Sequence, residues 1–200
     1  RSTLFPYTTL FRSGRRSDGI LRHADAIELG VPNATFYNFV RRNGLERVAK
    51  GVYLHADAFP DEMQLLQVKF PKAIFSHDTA LYLHGLSERE PVPLSVTVHS
   101  NYHSDALRDT GTRIYYVKEP WHELGAMTLD SPEGNPVRVY DMERTICDTI
   151  RRRSATDPSA FNYAMRKYAA SKEKDLRRLG EYSAEMGMEQ RVSDVLEVLL

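Results

Sequence analysis

Apolar and polar residues alternate most regularly between Asp18 and His55, where the pattern predicts two helices followed by a β-hairpin. The first helix has an apolar face formed by Ile20, Leu21, Ala24, Ala26, Ile27 and Leu29. Gly30 ends this helix, because a left-handed residue after a helix end needs no Cβ. The second helix, at about residues 33–43, turns inward the side chains of Phe36, Phe39 and Val40. Residues 45–54 then alternate as a hairpin with Gly51 near its tip.

The outward face of the second helix is polar and basic, and the hairpin adds further positive charge. The residues that we expect to contact DNA are Thr35, Tyr37, Asn38, Arg41, Arg42, Arg47 and Lys50. Asparagine reads adenine edges, arginine reads guanine or grips phosphate, and tyrosine and threonine reach phosphates. A helix of this kind followed by a basic hairpin predicts a winged helix-turn-helix. The residues alone leave open the alternative of a solvated polar helix face.

The pattern beyond residue 56 predicts short strands first and helices later. The predicted elements are helices at 61–70 and 79–84, the latter with Ser76 as its N-cap, strands at 94–99 and 113–118, and a hairpin closed by the turn 131–135. Helical spacing then predicts helices that begin at Asp141, Asp157, Asp175 and Met188. We therefore predict an α+β protein. A winged helix-turn-helix spans residues 18–56, and an α/β C-terminal domain with a helical C-terminus spans residues 57–200.

The first seventeen residues do not follow either period. Residues 1–13 read RSTLFPYTTLFRS, with Thr-Leu-Phe repeated and no start methionine. The segment resembles a translated sequencing adapter, so we interpret residues 1–17 as non-native and exclude them from fold reasoning. A winged helix has a further helix before the two predicted above, and we expect it to be missing here. The alternative is a genuine apolar N-terminal arm.

Composition limits the class of protein without naming it. Hydrophobic residues make up 42% of the 200 residues, which is enough for real cores, and charged residues make up 27%. The formal net charge is zero, so any surface that binds nucleic acid must be local. Cys147 is the single cysteine, which excludes an internal disulfide. We expect a cytoplasmic protein that does not bind membranes, because no apolar run approaches a membrane span and no signal-peptide pattern is present.

Side chains that could support catalysis are present, but their spacing favours structural roles. No zinc-finger or HExxH spacing joins the histidines His77, His84, His99 and His103. Asp141 and Glu143 could hold a divalent metal, yet they lie where a strand turns into a helix. Capping and a contact with the helix dipole are favoured there. We predict no catalytic residues, no metal, no cofactor and no enzymatic activity.

Three sequence blocks together resemble a known family. They are LERVAKGVYL (Leu45–Leu54), FSHDTALYLHGLSER (Phe75–Arg89) and VRVYDMERTICDTIR (Val137–Arg151). The combination resembles the AbiEi-type antitoxins of bacterial abortive-infection, or type IV, toxin–antitoxin systems, over about Asp18 to Leu200. The resemblance implies a winged helix that binds inverted repeats in its own promoter as an autorepressor, and a C-terminal domain required for antitoxin activity. It also implies a nucleotidyltransferase-like toxin that is countered without a stable complex.

Two other functions stay open at this point. A metal-dependent nuclease would use the winged helix to deliver double-stranded DNA to Asp141 and Glu143. A transcription factor with a ligand-sensing C-terminal domain would form a pocket among its strands, although no residue cluster in the sequence defines a ligand.

Overall fold

The computed structural model describes residues 19–58 and 61–199, with side chains through residue 197. The interpretation of residues 1–17, and the helix expected before Asp18, lie outside the described residues. The chain divides into two compact units. Unit 1 comprises the described residues up to Phe70 together with Glu133–Asn135, and unit 2 comprises the remainder.

The observed division lies further along the chain than residue 56, where the sequence places a domain boundary. The helix Glu62–Lys69 belongs to unit 1. Its Gln64 donates a hydrogen bond from Nε2 to Oδ1 of Asn135 (3.0 Å), and Asn135 donates in turn to the carboxylate of Asp61 (3.3 Å). These buried contacts link residues more than seventy positions apart, and no local pattern could have indicated them.

Unit 1 combines short helices with a small antiparallel sheet. Its elements are β1 (Ile20–Arg22), α1 (His23–Glu28), α2 (Asn33–Arg42), β2 (Glu46–Ala49), β3 (Val52–Leu54) and α3 (Glu62–Lys69). The strands are ordered β1-β3-β2, and both pairings are antiparallel. The second predicted helix and the predicted hairpin are confirmed as α2 and β2–β3.

The prediction for the first helix is wrong at its N-terminal end. Ile20 and Leu21 are buried as members of a strand that pairs with β3, and the helix begins only at His23. Ile27 and Leu29 were expected in the core, but they are 45% and 56% exposed and lie outside it. Two adjacent apolar residues fit a strand or a helix equally well. The partner strand, distant in sequence, decides between them.

The core of unit 1 fixes the orientation of α2. Its members are Leu21, Ala26, Val31, Phe36, Phe39, Val40 and Tyr53. Phe36 is fully buried and packs edge-on against the ring of Tyr53, with 5.5 Å between centroids. Gly30 has a φ of +76°, which allows the tight connection in which the Val31 amide donates to the Ala26 carbonyl. Because the apolar side of α2 is held inward, its polar side must face outward.

Unit 2 packs helices against a five-stranded mixed sheet. Its elements are β4 (Ile74–Phe75), α4 (His77–Leu83), β5 (Ser95–His99), α5 (Asp105–Arg108), β6 (Arg113–Val117), β7 (Ala126–Asp130), β8 (Pro136–Tyr140), α6 (Met142–Arg151), a 3₁₀ turn (Arg153–Ala155), α7 (Pro158–Ala170), α8 (Leu176–Glu185) and α9 (Glu189–Leu199). The strand order is β6-β5-β4-β8-β7, with parallel pairing in β5–β6 and β4–β8. The predicted strands, hairpin and C-terminal helices are confirmed, whereas the short strand β4 was not predicted.

Helix α6 is the central element of unit 2. Every residue from Glu143 to Ile150 is buried, and the core cluster around Ile146 includes residues of α4, α7, α8 and α9. Cys147 is fully buried in this cluster, and burial raises the pKa of its thiol to about 12. A protonated thiol without access to solvent is a packing group and not a nucleophile.

No helix within residues 19–58 and 61–199 combines the length and the apolar character needed to cross a membrane.

Candidate nucleic-acid interface

The outward face of α2 carries five of the residues that the sequence assigns to DNA. Tyr37, Asn38, Arg41 and Arg42 are exposed, and Thr35 is half-buried. The guanidinium of Arg41 donates from Nη2 to Oδ1 of Asn38 at 2.8 Å. This bond orients a donor-rich side chain and an amide on the same surface, which is the chemistry that reads base edges.

The hairpin carries the other two assigned residues, Arg47 and Lys50, and both are exposed. A bulge falls between Arg47 and Ala49, where the pairing register with β3 shifts. Arg47 donates from Nε to the Ala49 carbonyl at 3.3 Å, so its side chain follows the bulge. Gly51 has a φ of +72° and forms the turn next to Lys50. The hairpin therefore presents two cationic side chains close to its turn.

His23 connects the parts of this surface, and sequence reasoning missed it. Its backbone amide donates to the Gly51 carbonyl at 2.7 Å. Its Nε2 lies 2.6 Å from Oδ1 of Asn33 at the start of α2. The imidazole stacks on Tyr37, with 5.4 Å between ring centroids and 24° between planes. His23 thus joins α1, α2 and the hairpin turn, but the predicted helix placed it at an ordinary mid-helix position that gave no signal.

The cationic side chains of this surface are not neutralised by neighbouring carboxylates. Within the residues that the structure describes, Arg41, Arg42, Arg47 and Lys50 form no ion pair with an aspartate or glutamate. Their charges remain available for a polyanion such as DNA. Neutralisation of DNA phosphates by lysine and arginine supplies a large share of the affinity of proteins for DNA.

The two carboxylates considered for a nuclease hold helices together. Asp141 accepts from the Arg144 amide through Oδ1 and from the Tyr182 hydroxyl through Oδ2, each at 2.8 Å. The capping role predicted for Asp141 is confirmed. Glu143 is buried and accepts from the Asp175 amide at 2.8 Å. Within the described part of the chain, no three His, Cys, Asp or Glu side chains form a group that could hold a metal ion.

Two histidines of unit 2, His84 and His77, contact protein groups. His84 lies with Nε2 2.7 Å from the Tyr140 carbonyl. His77 stacks on Tyr115 with 3.5 Å between ring centroids, and its Nδ1 lies 3.1 Å from the hydroxyl of Ser76. Ser76 is the N-cap residue of α4 as predicted, but the side-chain capping bond expected of a serine there is absent. The Ser76 hydroxyl is occupied by His77 and Thr97.

His77 gives a testable pH dependence. Burial, with additional repulsion from Arg152, Arg144 and Arg113, lowers the pKa of His77 from 6.5 to about 3. The unfolded chain still protonates near 6.5, so His77 costs no stability above that pH and destabilises the fold progressively as pH falls toward 3. We expect the variant His77→Asn to lose part of this slope, measured by urea unfolding at several pH values. Asparagine tolerates the left-handed φ of +50° at this position. An unchanged slope would contradict the assignment.

Two helices joined through a glycine turn, the second with an exposed basic face, form a helix-turn-helix-like domain. Residues 9–54 match the family model described as a transcriptional regulator, AbiEi antitoxin. The resemblance to AbiEi-type antitoxins is thereby confirmed in this region, which contains all seven residues assigned to DNA. The matched range begins at residue 9, inside the segment interpreted as non-native, and the blocks Phe75–Arg89 and Val137–Arg151 lie outside it.

The chain is similar in fold to a solved structure over nearly its whole length. That structure is the crystal structure of the RV2827C protein from Mycobacterium tuberculosis, with a TM-score of 0.60 and 13% sequence identity. The similarity covers 98% of this chain and 78% of that chain. At this identity the comparison concerns the fold alone. Among curated proteins, none matches the chain.

Proposed function

We propose that this protein is an antitoxin that binds DNA through a winged helix in unit 1 and represses transcription of its own toxin–antitoxin operon. The observation that carries the proposal is the exposed face of α2, where Asn38, Arg41 and Arg42 have no acidic partner within the described residues. The family match supports the regulator and antitoxin parts. The operator, following the family resemblance, is an inverted repeat in the protein's own promoter.

The two parts of this surface have different tasks. Helix α2 enters the major groove, where Asn38 and Arg41 read base edges and Tyr37 and Thr35 reach the backbone. Arg47 and Lys50 on the hairpin contact phosphates beside the groove. His23 positions both parts, because it bonds to the hairpin turn and stacks on the side chain of Tyr37.

Replacing Arg41 with alanine tests the base-reading part. We expect operator affinity to fall by about 1–3 kcal/mol and discrimination against scrambled DNA to weaken, because Arg41 provides the cationic fork of the surface. Lys50→Ala should instead weaken binding to all duplexes alike. It should also reduce the slope of log affinity against log salt concentration by about 1. Gel-shift titrations over a range of salt concentrations measure both quantities.

The matched control is Arg166→Ala, which removes an exposed arginine from α7 in unit 2. Its affinity for the operator should equal that of the wild type. If the wild type binds the inverted repeat no better than random DNA, the repressor part of the proposal fails. If Arg41→Ala and Arg166→Ala bind alike, the placement of α2 in the groove fails.

The antitoxin part needs a separate experiment in cells. Following the resemblance, we propose that the partner is a nucleotidyltransferase-like toxin countered without a stable complex, in a system of abortive phage infection. Co-expression of the chain with the toxin of the same operon should restore growth. Arg41→Ala should restore growth as well when both genes are driven by a foreign promoter, because operator binding is then not needed. Continued growth arrest with the wild-type chain would contradict the antitoxin part.

A further inference from the structure

A cavity of about 650 Å³ is lined by residues of unit 2. Its volume lies within the range of roughly 300–1,000 Å³ that is typical of small-molecule sites. The wall is formed by α4, the loop after it, strand β6, and the segment from the end of α6 into α7. None of these residues belongs to the surface assigned to DNA.

An arginine with free donors forms part of the wall. The guanidinium carbon of Arg152 lies 4.9 Å from the ring centroid of Tyr115, and the imidazole of His77 stacks on Tyr115. Among the described residues, no side chain or carbonyl accepts a hydrogen bond from the Arg152 guanidinium. Contact with an aromatic face holds the guanidinium without using its N–H groups. Arg152 is exposed, so its guanidinium is held against the ring while its N–H groups face solvent, where an anion could replace water.

A second arginine lines the same cavity. Arg113 donates from Nη1 to Oδ2 of Asp78 at 3.0 Å, which leaves its other donors for a further acceptor. Burial is the main cause of the lowered pKa of His77, and repulsion from Arg152, Arg144 and Arg113 adds to it. A neutral imidazole adds no charge there. The wall formed by β6 and the end of α6 is thus suited to an anion with several acceptor oxygens.

The loop after α4 contributes groups of the opposite kind. Glu88 and Glu90 line the cavity and are exposed, so their carboxylates can accept hydrogen bonds from hydroxyl or amino groups. Tyr163, a half-buried ring from α7, adds a flat surface. An inorganic anion would leave most of this volume and these acceptors unused. A fitting ligand is therefore an anion that is linked to a larger polar, ring-containing group.

We propose that this cavity binds a small phosphorylated ligand of the nucleoside monophosphate class, with its phosphate between Arg113 and Arg152. A phosphate monoester carries about two negative charges near neutral pH. Its oxygens accept from Arg152, which forms no ion pair among the described residues, and from the donors of Arg113 that Asp78 leaves. Its sugar hydroxyls and base face Glu88, Glu90 and Tyr163. This site is independent of the DNA-binding proposal, since all its residues lie in unit 2.

Calorimetric titration of the full chain tests the proposal with adenosine 5′-monophosphate, adenosine and inorganic phosphate as separate probes. The monophosphate should bind more tightly than either of the other two, because only it reaches both ends of the cavity. Arg152→Gln should lower the affinity for the monophosphate by roughly 10- to 100-fold, the effect of losing charged hydrogen bonds. The affinity for adenosine, which makes no phosphate contact, should change little.

The matched control is Arg153→Gln. Arg153 follows Arg152 in the chain, is exposed as Arg152 is, lies over Phe161 and does not line the cavity. Its variant should bind as the wild type does, and circular dichroism should show both variants folded. Three results would each overturn the proposal: equal affinity for adenosine and its monophosphate, equal losses in the two variants, or no binding of adenosine, guanosine, cytidine or uridine monophosphate at millimolar concentration.

Discussion

Replacing Arg144 with methionine is expected to lower the free energy of unfolding by about 3–5 kcal/mol. Arg144 is fully buried and donates from Nε to Oδ2 of Asp148 at 3.1 Å. Its Nη1 donates to the carbonyls of Trp121 and Leu124. Burial already raises the pKa of Asp148, and Arg144 opposes that shift. Without the guanidinium, a buried carboxylate would have lost its charge partner. Urea unfolding followed by circular dichroism measures the loss.

A double variant separates the ion pair from simple packing. Arg144→Met combined with Asp148→Leu removes both charges, so it should be more stable than Arg144→Met alone. The recovery should be partial, because the carbonyls of Trp121 and Leu124 still lack their donor. The pair would have no special role if the single variant lost less than about 1 kcal/mol, the ordinary cost of a point substitution.

Replacing Gly125 with alanine is expected to destabilise the fold by about 2–4 kcal/mol, from backbone strain and a steric clash together. Gly125 has a φ of +77°. A Cβ at this position would lie 2.7 Å from Cβ of Arg144 and 3.1 Å from Oδ1 of Asp141. Both neighbours are buried and fixed by hydrogen bonds, so they cannot move aside. Thermal or urea unfolding provides the measurement.

Gly111 offers a control with the same backbone conformation and no neighbours. Its φ is +74°, and nothing lies within 4 Å of the position that a Cβ would take. Gly111→Ala should therefore cost only the strain of a left-handed alanine, about 1–2 kcal/mol. Equal losses in the two variants would show that the contact with Arg144 is unimportant and that backbone strain alone accounts for the effect.

Hydrophobic periodicity was sufficient to predict burial where the spacing within a single helix determines which side chains face the core. The inward positions Phe36, Phe39 and Val40 follow from helical spacing, and the polar face of α2 follows from the same reasoning. The N-cap at Asp141 could be predicted equally well, because a capping aspartate bonds to backbone amides within one turn of its own position. The exposed basic surface could thus be located from the sequence, although its binding to DNA stays a proposal.

Features that depend on distant partners could not be predicted. The sequence shows Arg144 and Asp148 only as a pair four residues apart on a helix, the spacing of an ordinary exposed ion pair. Their burial results from α6 being covered on several sides. His23 belongs to the exposed basic surface because its amide bonds to the Gly51 carbonyl and its ring stacks on Tyr37. Residue spacing along the chain cannot reveal these contacts. The cavity around Arg152 likewise joins segments that are far apart in the chain.

The double use of Asp141 has a consequence for how unit 2 folds. One carboxylate oxygen starts α6 and the other holds Tyr182 on α8, forty-one residues later in the chain. Glu143 similarly accepts from the amide of Asp175, thirty-two residues away. Such contacts close long loops and raise the contact order, which slows folding. During synthesis the start of α6 leaves the ribosome before α8 does. The hydrogen bonds from Tyr182 and from the Asp175 amide to these carboxylates can therefore form only after α8 has emerged.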